Sequence, residues 1–421
     1  MKVLWLCNIV LPRAAEKLNM KASNKEGWLS GICENVSKNH DFELAVCFPV
    51  SKENDGVRFA EEGIEYYGFY EDTVHPEKYD KSLEGRLSSI VEESRPDVVH
   101  IFGTEFPHTL AMCKIMEKEP QKVLVGIQGI LDVYKDHYFD GLPKRVINRV
   151  TLRDFLKQDS LKQQHVKYCK RALNEVAAVK LAGNLTGRTP FDKAFSERTN
   201  PKAKYHFMNE TLRSEFFSGE WDSDKCEEYS IFLSQGNYPI KGMHVMLEAL
   251  PMVISKYPKA KVYVAGDVIT RFGTVKEKIK IGSYGLYLRE LVKKYNLEEY
   301  VEYIGNRCAK DIKERLLKSN VFVCPSSIEN SPNSLGEAML LGVPSIASRV
   351  GGTEGIFTDK QDGLMFENTD SKMLAEQIVT LFSDKALQEK FSKNAREHAL
   401  RTHDGKTNYK RLLEIYEDIC R

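Results

Sequence analysis

The sequence predicts an α/β protein built from two doubly wound domains. Its 421 residues exceed the usual length of one domain and suffice for two, each with its own core. In both halves of the chain, short apolar runs bounded by polar residues alternate with longer stretches of helical periodicity. This alternation is typical of parallel sheets covered by helices.

Candidate strands and helices alternate through the first half of the chain. We predict strands at residues 3–7, 43–48, 98–102, 123–127 and 177–182. Helices are predicted between them at residues 27–39, 83–94 and 109–118. The first apolar run begins directly after Met1 and Lys2 and is too short for a signal peptide, so we interpret it as a core strand.

The second half repeats this scheme. Strands are predicted at residues 230–234, 262–265, 301–304, 321–324 and 345–348, and helices at 244–255, 287–295, 309–318 and 335–341. Residues 213–228 have little apolar periodicity and suit a linker. We therefore predict an N-terminal domain at 1–215 and a C-terminal domain at 216–400. Residues 401–421 have helical periodicity and could pack back on the N-terminal domain.

The composition excludes several classes of protein. The 61 basic residues nearly cancel the 60 acidic residues, and a net charge of +1 gives no global attraction to nucleic acid. The nine cysteines are scattered singly, which predicts reduced thiols in a cytoplasmic protein. No apolar run approaches the roughly 20 residues that span a bilayer, so we expect no integral membrane segment.

The chemically richest stretch follows the predicted strand at 321–324. A polar loop comes next, and a helix is predicted to start at Asn333. A helix that starts just beyond the carboxyl end of a parallel strand presents free N–H groups and the positive end of its dipole to an anion. We therefore predict a phosphate site with N–H donors from Ser334, Leu335 and Gly336.

Two glutamates bracket this predicted anion site without competing for it. Glu329 lies before the helix, where it can accept hydrogen bonds from sugar hydroxyls. Glu337 lies in the first helical turns, where it can accept hydrogen bonds from ribose hydroxyls. The alternative is a solvated loop followed by an ordinarily capped helix. The preceding strand and the strand re-entry after Gly342 favour the functional interpretation.

The run Glu329-Asn-Ser-Pro-Asn-Ser-Leu-Gly-Glu337 resembles the motif of the retaining glycosyltransferases of family 4, in which seven residues separate two glutamates. The resemblance covers most of residues 229–367. It implies a GT-B fold of two facing Rossmann-like domains with an interdomain cleft. It also implies a nucleoside-diphosphate-sugar donor, retention of anomeric configuration and no metal at the diphosphate. The donor-binding residues that it implies around Glu329 are Asn330, Asn333, Ser334, Leu335 and Glu337.

A second stretch, Gly236-Asn237-Tyr-Pro-Ile-Lys241, matches the family's loop after the first strand of the C-terminal domain. In the family an Arg follows the Gly, and both this Arg and the later Lys neutralise the diphosphate. Lys241 is in place, whereas Asn237 occupies the Arg position. A dianionic leaving group needs preorganised positive charge. The missing charge would come from the predicted helix start and from Arg188 or Arg307. Arg188 is also a candidate for contact with the acceptor or the sugar, and Arg307 could stack on the nucleotide base or only decorate its loop.

The first half departs from the family near the expected substrates. Gly27 opens the predicted helix at 27–39, where family members commonly have a Gly pair near the donor phosphates. Gln128 stands where many members have a His, and it can hydrogen-bond a sugar but cannot act as an acid or base. His100 lies near the end of the predicted strand at 98–102 and is a weaker candidate for acceptor contact, because a lone His near a strand end is more often structural.

Asp222-Ser-Asp224 has the Asp-x-Asp pattern of the metal site in another glycosyltransferase fold. There the pattern follows an apolar strand, but here it lies in the linker before a strand. We therefore interpret it as a coincidence and predict no metal site.

Residues 142–171 are strongly basic, with nine Lys or Arg residues and interleaved apolar residues. Such a stretch can lie on an anionic membrane surface, which would make the protein peripheral at the inner face of the membrane. The alternative is a helical insertion packed on the N-terminal domain, with its basic face in solvent.

The sequence thus predicts a metal-independent hexosyltransferase that uses a nucleotide-sugar donor and a carbohydrate acceptor, one linked to a lipid, in polysaccharide biosynthesis. The role in polysaccharide assembly comes from the resemblance alone. Two alternatives stay open at this point. One is a GT-B nucleotide-sugar epimerase, and the other is a catalytically degenerate scaffold that binds sugar nucleotide, which the departures at Asn237 and Gln128 favour.

Overall fold

The computed structural model describes residues 1–20, 29, 32, 36 and 41–421. These residues divide into two compact units. Unit 1 comprises Met1–Lys135, Lys167–Arg213 and His403–Arg421, and unit 2 comprises Asp136–Val166 and Ser214–Thr402.

Unit 1 contains an eight-stranded sheet of order β3-β4-β2-β1-β5-β6-β7-β8. Its neighbouring strands are parallel except β3, which pairs antiparallel with β4. The strands are β1 (Lys2–Leu6), β2 (Glu43–Val50), β3 (Arg58–Glu61), β4 (Ile64–Tyr70), β5 (Val98–Phe102), β6 (Val123–Gly126), β7 (Asn184–Gly187) and β8 (Lys204–Phe207). The helices are α1 (Pro12–Lys17), α2 (Ser82–Ser94), α3 (Pro107–Ile115), α4 (Leu131–Tyr134), α7 (Leu161–Leu181), α8 (Pro190–Thr199) and α16 (Gly405–Cys420). The first six residues of α7 belong to unit 2.

The sheet of unit 1 is buried on both faces, as its continuous apolar strands require. Along β1, Val3 and Trp5 enter one apolar core, and Leu4 and Leu6 enter the other. This division follows from the alternation of side chains along a strand. Tyr416 of α16 belongs to the core around Trp5 and accepts a 2.9 Å hydrogen bond from the Trp5 indole Nε1. The last helix of the chain thus completes the core of the first unit.

Unit 2 contains a six-stranded sheet of order β11-β10-β9-β12-β13-β14, in which neighbouring strands are parallel. The strands are β9 (Glu227–Leu233), β10 (Lys261–Ala265), β11 (Val301–Gly305), β12 (Ser319–Cys324), β13 (Ser345–Ser348) and β14 (Gly363–Phe366). The helices are α5 (Lys144–Ile147), α6 (Leu152–Lys157), α9 (Met243–Lys256), α10 (Val275–Lys280), α11 (Ser283–Lys294), α12 (Ala309–Lys318), α13 (Asn333–Leu341), α14 (Ser371–Ser383) and α15 (Lys385–Thr402).

The strand order of unit 2 defines where a ligand is expected. From β9 the chain proceeds to β10 on one side, and β12 then lies on the other side of β9. The carboxyl ends of β9 and β12 therefore flank a topological switch point, where open α/β sheets bind their ligands.

The structure corrects two predictions about the organisation of the chain. Residues 136–166, with most of the basic stretch, group with unit 2 and not with the N-terminal domain. The apolar run at 177–182 is not a strand, because it forms the end of α7. The predicted linker at 213–228 contains the point where unit 1 gives way to unit 2, between Arg213 and Ser214, and residues 403–421 return to unit 1. The helix predicted at 27–39 lies largely outside the described residues.

Candidate functional site

The loop after β9 packs directly against the loop after β12. A short turn at Pro239–Lys241 ends at Gly242, which has a φ of +66°. A Cβ atom on Gly242 would lie 1.8 Å from the carbonyl oxygen of Pro325. Only glycine combines this left-handed backbone with so close an approach. The residue at 242 therefore sets the distance between the two loops that flank the switch point.

Lys241 and Glu329 form an ion pair at this switch point. The Lys241 Nζ lies 2.5 Å from the Glu329 Oε1, which also accepts a 2.7 Å hydrogen bond from the Ser326 hydroxyl. Glu329 is buried and the Lys241 side chain is partly exposed. Burial alone would lower the pKa of Lys241, but the negative charge of Glu329 and their hydrogen bond outweigh it and hold this pKa well above its usual range. Lys241 therefore carries its positive charge at neutral pH.

Backbone contacts hold Glu329 in place. The Gly352 N–H donates to the Glu329 carbonyl oxygen at 2.9 Å. Gly351 has a φ of +51°, and a Cβ atom there would lie 2.1 Å from the same carbonyl oxygen. The Ser327 N–H donates to the Ile240 carbonyl oxygen at 2.8 Å, which ties the two loops together. The carboxylate is thus positioned by the backbone before any ligand binds.

Helix α13 begins beside this ion pair, as expected, but its free donors differ from those predicted. Its N-cap residue Pro332 has no side-chain cap. The N–H groups of Leu335 and Gly336 both donate to the Pro332 carbonyl oxygen, at 2.9 and 3.2 Å. Predicting them as phosphate donors was therefore wrong, because the first intrahelical bonds use them. The N–H groups of Asn333 and Ser334, in the first turn of α13, have no acceptor within the helix.

The remaining predicted donor residues of unit 2 lie around the same edge of the sheet. Asn330 and Glu337 are buried, and Asn333 and Ser334 are half-buried. Gly236 is buried where a Cβ atom would lie 3.0 Å from the Val264 Cγ1.

Asn237 lies in the wall of a cavity of 520 Å³ within unit 2. Its side-chain oxygen is buried and has no hydrogen-bond partner among the described residues. The cavity extends from the Asn237–Pro239 loop to α6 and to the segment around α10. The residue at the family's Arg position therefore presents an uncharged acceptor to an open space.

Arg307 is exposed after β11 and does not line this cavity. Its neighbour Asn306 donates a 2.5 Å hydrogen bond to Asp267, which follows β10. The loops after β10 and β11 are thereby joined at the carboxyl edge of the sheet.

Three polar side chains meet at the carboxyl ends of β6, β7 and β8 in unit 1. The Arg188 Nη1 and the Gln128 Nε2 donate to the Glu210 Oε1, at 2.7 and 2.6 Å. The Arg188 Nη2 also donates to the Gln128 Oε1 at 3.2 Å. Arg188 and Glu210 are both buried. The positive charge of Arg188 is thus paired with Glu210, as that of Lys241 is with Glu329, and its expected role stays a prediction.

His100 lies inside β5 and is fully buried. Its Nδ1 is 2.7 Å from the Tyr416 hydroxyl of α16, and burial lowers the pKa of His100 to about 3. The side chain is therefore a neutral core histidine, which argues against the predicted contact with an acceptor. Gly27, the other predicted residue of this half, lies outside the described residues.

Sequence reasoning missed two buried polar clusters at the carboxyl edge of the unit 1 sheet. In one, the His108 ring lies between Glu71 and Asn8, with nitrogen–oxygen distances of 2.6 and 2.9 Å. In the other, Glu175 accepts hydrogen bonds from Thr104 at 2.5 Å and from the Asp132 N–H at 2.8 Å. The only sequence signal was that Asn8, Glu71 and Thr104 each follow a strand shortly after its end.

Asp222 and Asp224 show no sign of a metal site. Asp222 pairs with Lys225, Asp224 pairs with Lys385, and both aspartates precede β9. Within the described part of the chain, no cluster of three or more His, Cys, Asp or Glu side chains could hold a metal ion.

Three arginines of the basic stretch pair with carboxylates within unit 2. Arg145 and Arg149 both bind Glu290, and Arg153 binds Asp154 and Asp159. Among the residues that the structure describes, no helix has both the length and the apolar character needed to cross a membrane.

The second half of the chain matches a known protein family. Residues 215–398 match the family described as glycosyl transferases group 1. This part of the chain is similar to that family. The match includes Lys241, Glu329 and Glu337, so the ion pair at the switch point lies within the matched residues.

Curated relatives extend the similarity to the whole chain. The putative glycosyltransferase YtcC of Bacillus subtilis is 28% identical over 428 aligned residues, which cover 100% of this chain and 92% of YtcC. The spore coat protein SA of the same organism is 23% identical, with 96% of this chain and 98% of that protein covered.

Solved structures establish the fold of this glycosyltransferase-like chain. Sucrose-phosphate synthase from Thermosynechococcus elongatus matches with a TM-score of 0.69 at 14% identity, covering 99% of this chain and 98% of that one. HepE of Anabaena, solved with UDP and glucose, matches with a TM-score of 0.66 at 15% identity, covering 98% of both chains. The fold is therefore GT-B, with two parallel-sheet α/β units, as the resemblance implied.

Proposed function

We propose that this chain is a retaining glycosyltransferase that moves a hexose-type sugar from a nucleoside-diphosphate sugar to a carbohydrate acceptor. The observation that carries the proposal is the Lys241–Glu329 ion pair at the topological switch point of unit 2, beside the start of α13. A cation, a carboxylate and free helix N–H groups are the chemistry that a sugar diphosphate needs.

In this proposal, different residues of unit 2 bind different parts of the donor. The Asn333 and Ser334 N–H groups and the Lys241 ammonium bind the diphosphate, while Glu329 accepts hydrogen bonds from the donor sugar and Glu337 from the ribose. Lys241 then stabilises the negative charge that develops on the leaving phosphate. This role requires no metal ion at the diphosphate, so activity should persist in a chelator such as EDTA.

The acceptor side of the proposal involves Gln128 of unit 1. Its amide can hydrogen-bond a sugar but cannot take a proton, so the leaving phosphate oxygen takes the proton of the acceptor hydroxyl. Retention of anomeric configuration is carried over from the family resemblance. Product analysis by NMR tests it, because a product of inverted configuration would contradict it.

A lipid-linked acceptor in polysaccharide assembly at the inner face of the membrane is a further part of the proposal. Two partial relatives support it. The Campylobacter jejuni enzyme named N,N'-diacetylbacillosaminyl-diphospho-undecaprenol alpha-1,3-N-acetylgalactosaminyltransferase is 32% identical over 121 residues, or 29% of this chain. The capsular polysaccharide biosynthesis glycosyltransferase CapM of Staphylococcus aureus is 25% identical over 216 residues, or 48% of this chain.

A second candidate function is a scaffold that binds sugar nucleotide without turning it over. Asn237 favours it, because an uncharged side chain replaces a diphosphate-binding Arg of the family. The two functions differ in whether nucleoside diphosphate is released.

A screen of common sugar nucleotides by thermal shift, followed by assay of nucleoside diphosphate release, tests both functions. A donor that binds only the native state raises the unfolding temperature increasingly above its dissociation constant. We expect a shift with one donor and release of its nucleoside diphosphate when acceptor is added. A shift without release, together with release by Asn237→Arg, would favour the scaffold. No shift with any donor would contradict the proposal.

A further inference from the structure

Two short helices of unit 2 leave apolar side chains in solvent. On α6 these are Leu152, Phe155 and Leu156, and on α10 they are Val275 and Ile279, each between 46% and 73% exposed. The spacings of three and four residues place the exposed side chains of each helix on one face. Each helix is thus amphipathic, with its apolar face uncovered.

The two helices are neighbours, and contacts of Asp154 connect the segments that carry them. They pack against each other, and the buried Asp154 of α6 accepts a 3.1 Å hydrogen bond from the N–H of Ser283, three residues beyond α10. Gly282 also lies close to Asp154, since a Cβ atom there would be 3.2 Å from its Oδ1. Single exposed apolar residues are ordinary, but a group of five on adjacent helices indicates an interaction surface.

The charge around these helices is positive. Residues 150–162 and 271–280 contain seven basic and three acidic residues. The acidic groups are engaged locally, because Asp154 and Asp159 bind Arg153 and Glu277 caps α10 at Thr274. The exposed cations of the two segments are Lys157, Lys162, Arg271, Lys276, Lys278 and Lys280.

The 520 Å³ cavity connects this region to the ion pair described above. Its walls include Arg153 on α6 and Lys276 on α10, and it reaches the Asn237–Pro239 loop, which leads directly into Lys241. A surface formed by the two helices therefore adjoins the proposed donor site.

We propose that α6 and α10 together form a docking surface for a bilayer of anionic phospholipid. The apolar faces would enter the interfacial region while the lysines bind lipid phosphates, as in other interfacial amphipathic helices. Charge complementarity selects an anionic bilayer over a neutral one. The sequence indicated only the basic stretch at 142–171, whereas α10 lies within the residues that match the group 1 glycosyl transferases. The benefit to catalysis rests on the proposed function, because docking would hold the donor site near a lipid-linked acceptor.

Flotation of the full chain with vesicles tests this surface. We expect binding to vesicles of phosphatidylglycerol and phosphatidylcholine, weakened by salt, and no binding to phosphatidylcholine alone. The double variants Phe155→Ser/Leu156→Ser and Val275→Ser/Ile279→Ser should each lower the vesicle-bound fraction at least tenfold, because each removes two inserted side chains. Val74→Ser is the matched control, since Val74 is 78% exposed in unit 1 and should leave binding unchanged.

Three results would overturn the proposal. The first is no binding to anionic vesicles, the second is a loss in only one of the two double variants, and the third is a self-associated chain that the same variants convert to monomer. Donor binding by thermal shift separates this surface from the proposed function. Variants that lose vesicle binding should keep the donor shift, and a wild-type chain that binds vesicles without any donor shift would overturn the proposed function alone.

Discussion

Lys241 and Glu329 are the residues on which the proposed chemistry depends most directly. Replacing Lys241 with Met removes the cation that we propose binds the diphosphate. It also removes one of two hydrogen bonds to the buried Glu329 carboxylate and leaves the one from the Ser326 hydroxyl. We expect donor affinity to fall at least tenfold and kcat to fall about 100-fold or more, as for loss of one preorganised donor to a developing charge.

The measurements for Lys241→Met are donor titration and steady-state kinetics, with Lys256→Met as control because Lys256 is exposed at the end of α9. Unchanged donor affinity and kcat in Lys241→Met would contradict the assignment. The double variant Lys241→Met/Glu329→Leu should unfold at a higher urea concentration than Lys241→Met, because it leaves no unpaired carboxylate.

Glu175 should make the stability of the protein depend on pH. Burial raises the pKa of Glu175 to about 8, although Thr104 and backbone N–H groups hydrogen-bond it. Between about pH 4.5 and about pH 8 the Glu175 carboxyl group is therefore protonated in the folded chain and ionised in the unfolded chain. Stability should fall as pH rises from about 4.5 to about 8, by at most about 1.4 kcal/mol per pH unit, and then level off.

Urea unfolding between pH 5 and pH 9 measures this dependence. Glu175→Gln cannot titrate and should lose the slope, whereas Glu197→Gln, at an exposed position on α8, should keep it. An equal slope in the wild type and in Glu175→Gln would show that another group is responsible.

The sequence predicted residues whose role depends on local position and missed those whose role depends on distant partners. The start of α13 follows directly from the strand–loop–helix pattern, and the resemblance to family 4 pointed to Lys241 and Glu329. The pairing of Arg188 with Glu210 could not be predicted, because it requires that β7 and β8 be neighbours in the sheet. The burial of His100 was likewise hidden, since the covering side chain, Tyr416, is 316 residues away.

At the scale of elements, the contact between the loops after β9 and β12 depends on Gly242. Alanine there would both strain a backbone with φ of +66° and collide with the Pro325 carbonyl oxygen. We expect a loss of about 2–5 kcal/mol in unfolding free energy, from strain of about 1–2 and overpacking of about 1–3, and loss of donor binding.

Gly63→Ala is the matched control for Gly242→Ala. Gly63 has a φ of +80° but nothing within 4 Å of the added Cβ atom. Gly63→Ala should lower the unfolding free energy only by the backbone strain of about 1–2 kcal/mol and should leave donor binding intact. Equal effects of the two variants in urea unfolding and donor titration would show that the close approach at 242 is unimportant.

The docking of α16 on unit 1 should depend on the Tyr416 hydroxyl. This group accepts a hydrogen bond from Trp5 and lies 2.7 Å from the His100 Nδ1, all within the core. Tyr416→Phe leaves these two groups unsatisfied and should lower the unfolding free energy by about 1–3 kcal/mol. Tyr295→Phe, whose hydroxyl contacts only the exposed Lys294 among the bonds described, should change it by less than about 0.5 kcal/mol.

Urea unfolding of both tyrosine variants measures the difference. No loss of stability in Tyr416→Phe would mean that packing alone docks the helix.

Hydrophobic periodicity predicts whether a segment is a helix or a strand when its apolar run is compatible with only one of the two. It failed at residues 177–182, because the run Ala-Ala-Val-Lys-Leu-Ala is compatible with both a strand and the buried side of a helix. The structure assigns it to the end of α7 because the helix has already run from Leu161. The strands β3, β4, β7, β8 and β14 were also not predicted.

At the scale of the whole molecule, each unit has its own sheet and its own buried core. The order of elements along the chain predicted two domains, because each half repeats the α/β alternation. It could not predict that residues 136–166 join unit 2, since this depends on tertiary contacts such as those of Asp154 with Ser283 and of Arg145 with Glu290. The last 19 residues join unit 1 through the apolar face of α16.

Because each unit has its own core, we expect a ligand to slow hydrogen exchange in the unit that binds it and to leave the other unit largely unchanged. We predict that a nucleoside diphosphate, the donor without its sugar, slows hydrogen exchange in β9, β12 and α13 of unit 2, because the proposed contacts to the diphosphate lie there. Backbone amides of β1, β5 and β6 in unit 1 should change little. Hydrogen exchange measured by mass spectrometry with and without the ligand reports both units in one experiment.

Deletion of residues 403–421 provides the complementary test. It removes Leu412, Ile415 and Tyr416 from the core of unit 1 and leaves the elements of unit 2 intact. We expect faster exchange in β1 and β5, while the ligand still protects β9 and α13. Protection that appears mainly in unit 1, or that disappears with the deletion, would contradict a diphosphate site built by unit 2, because none of the groups proposed to bind the diphosphate lies outside residues 214–402.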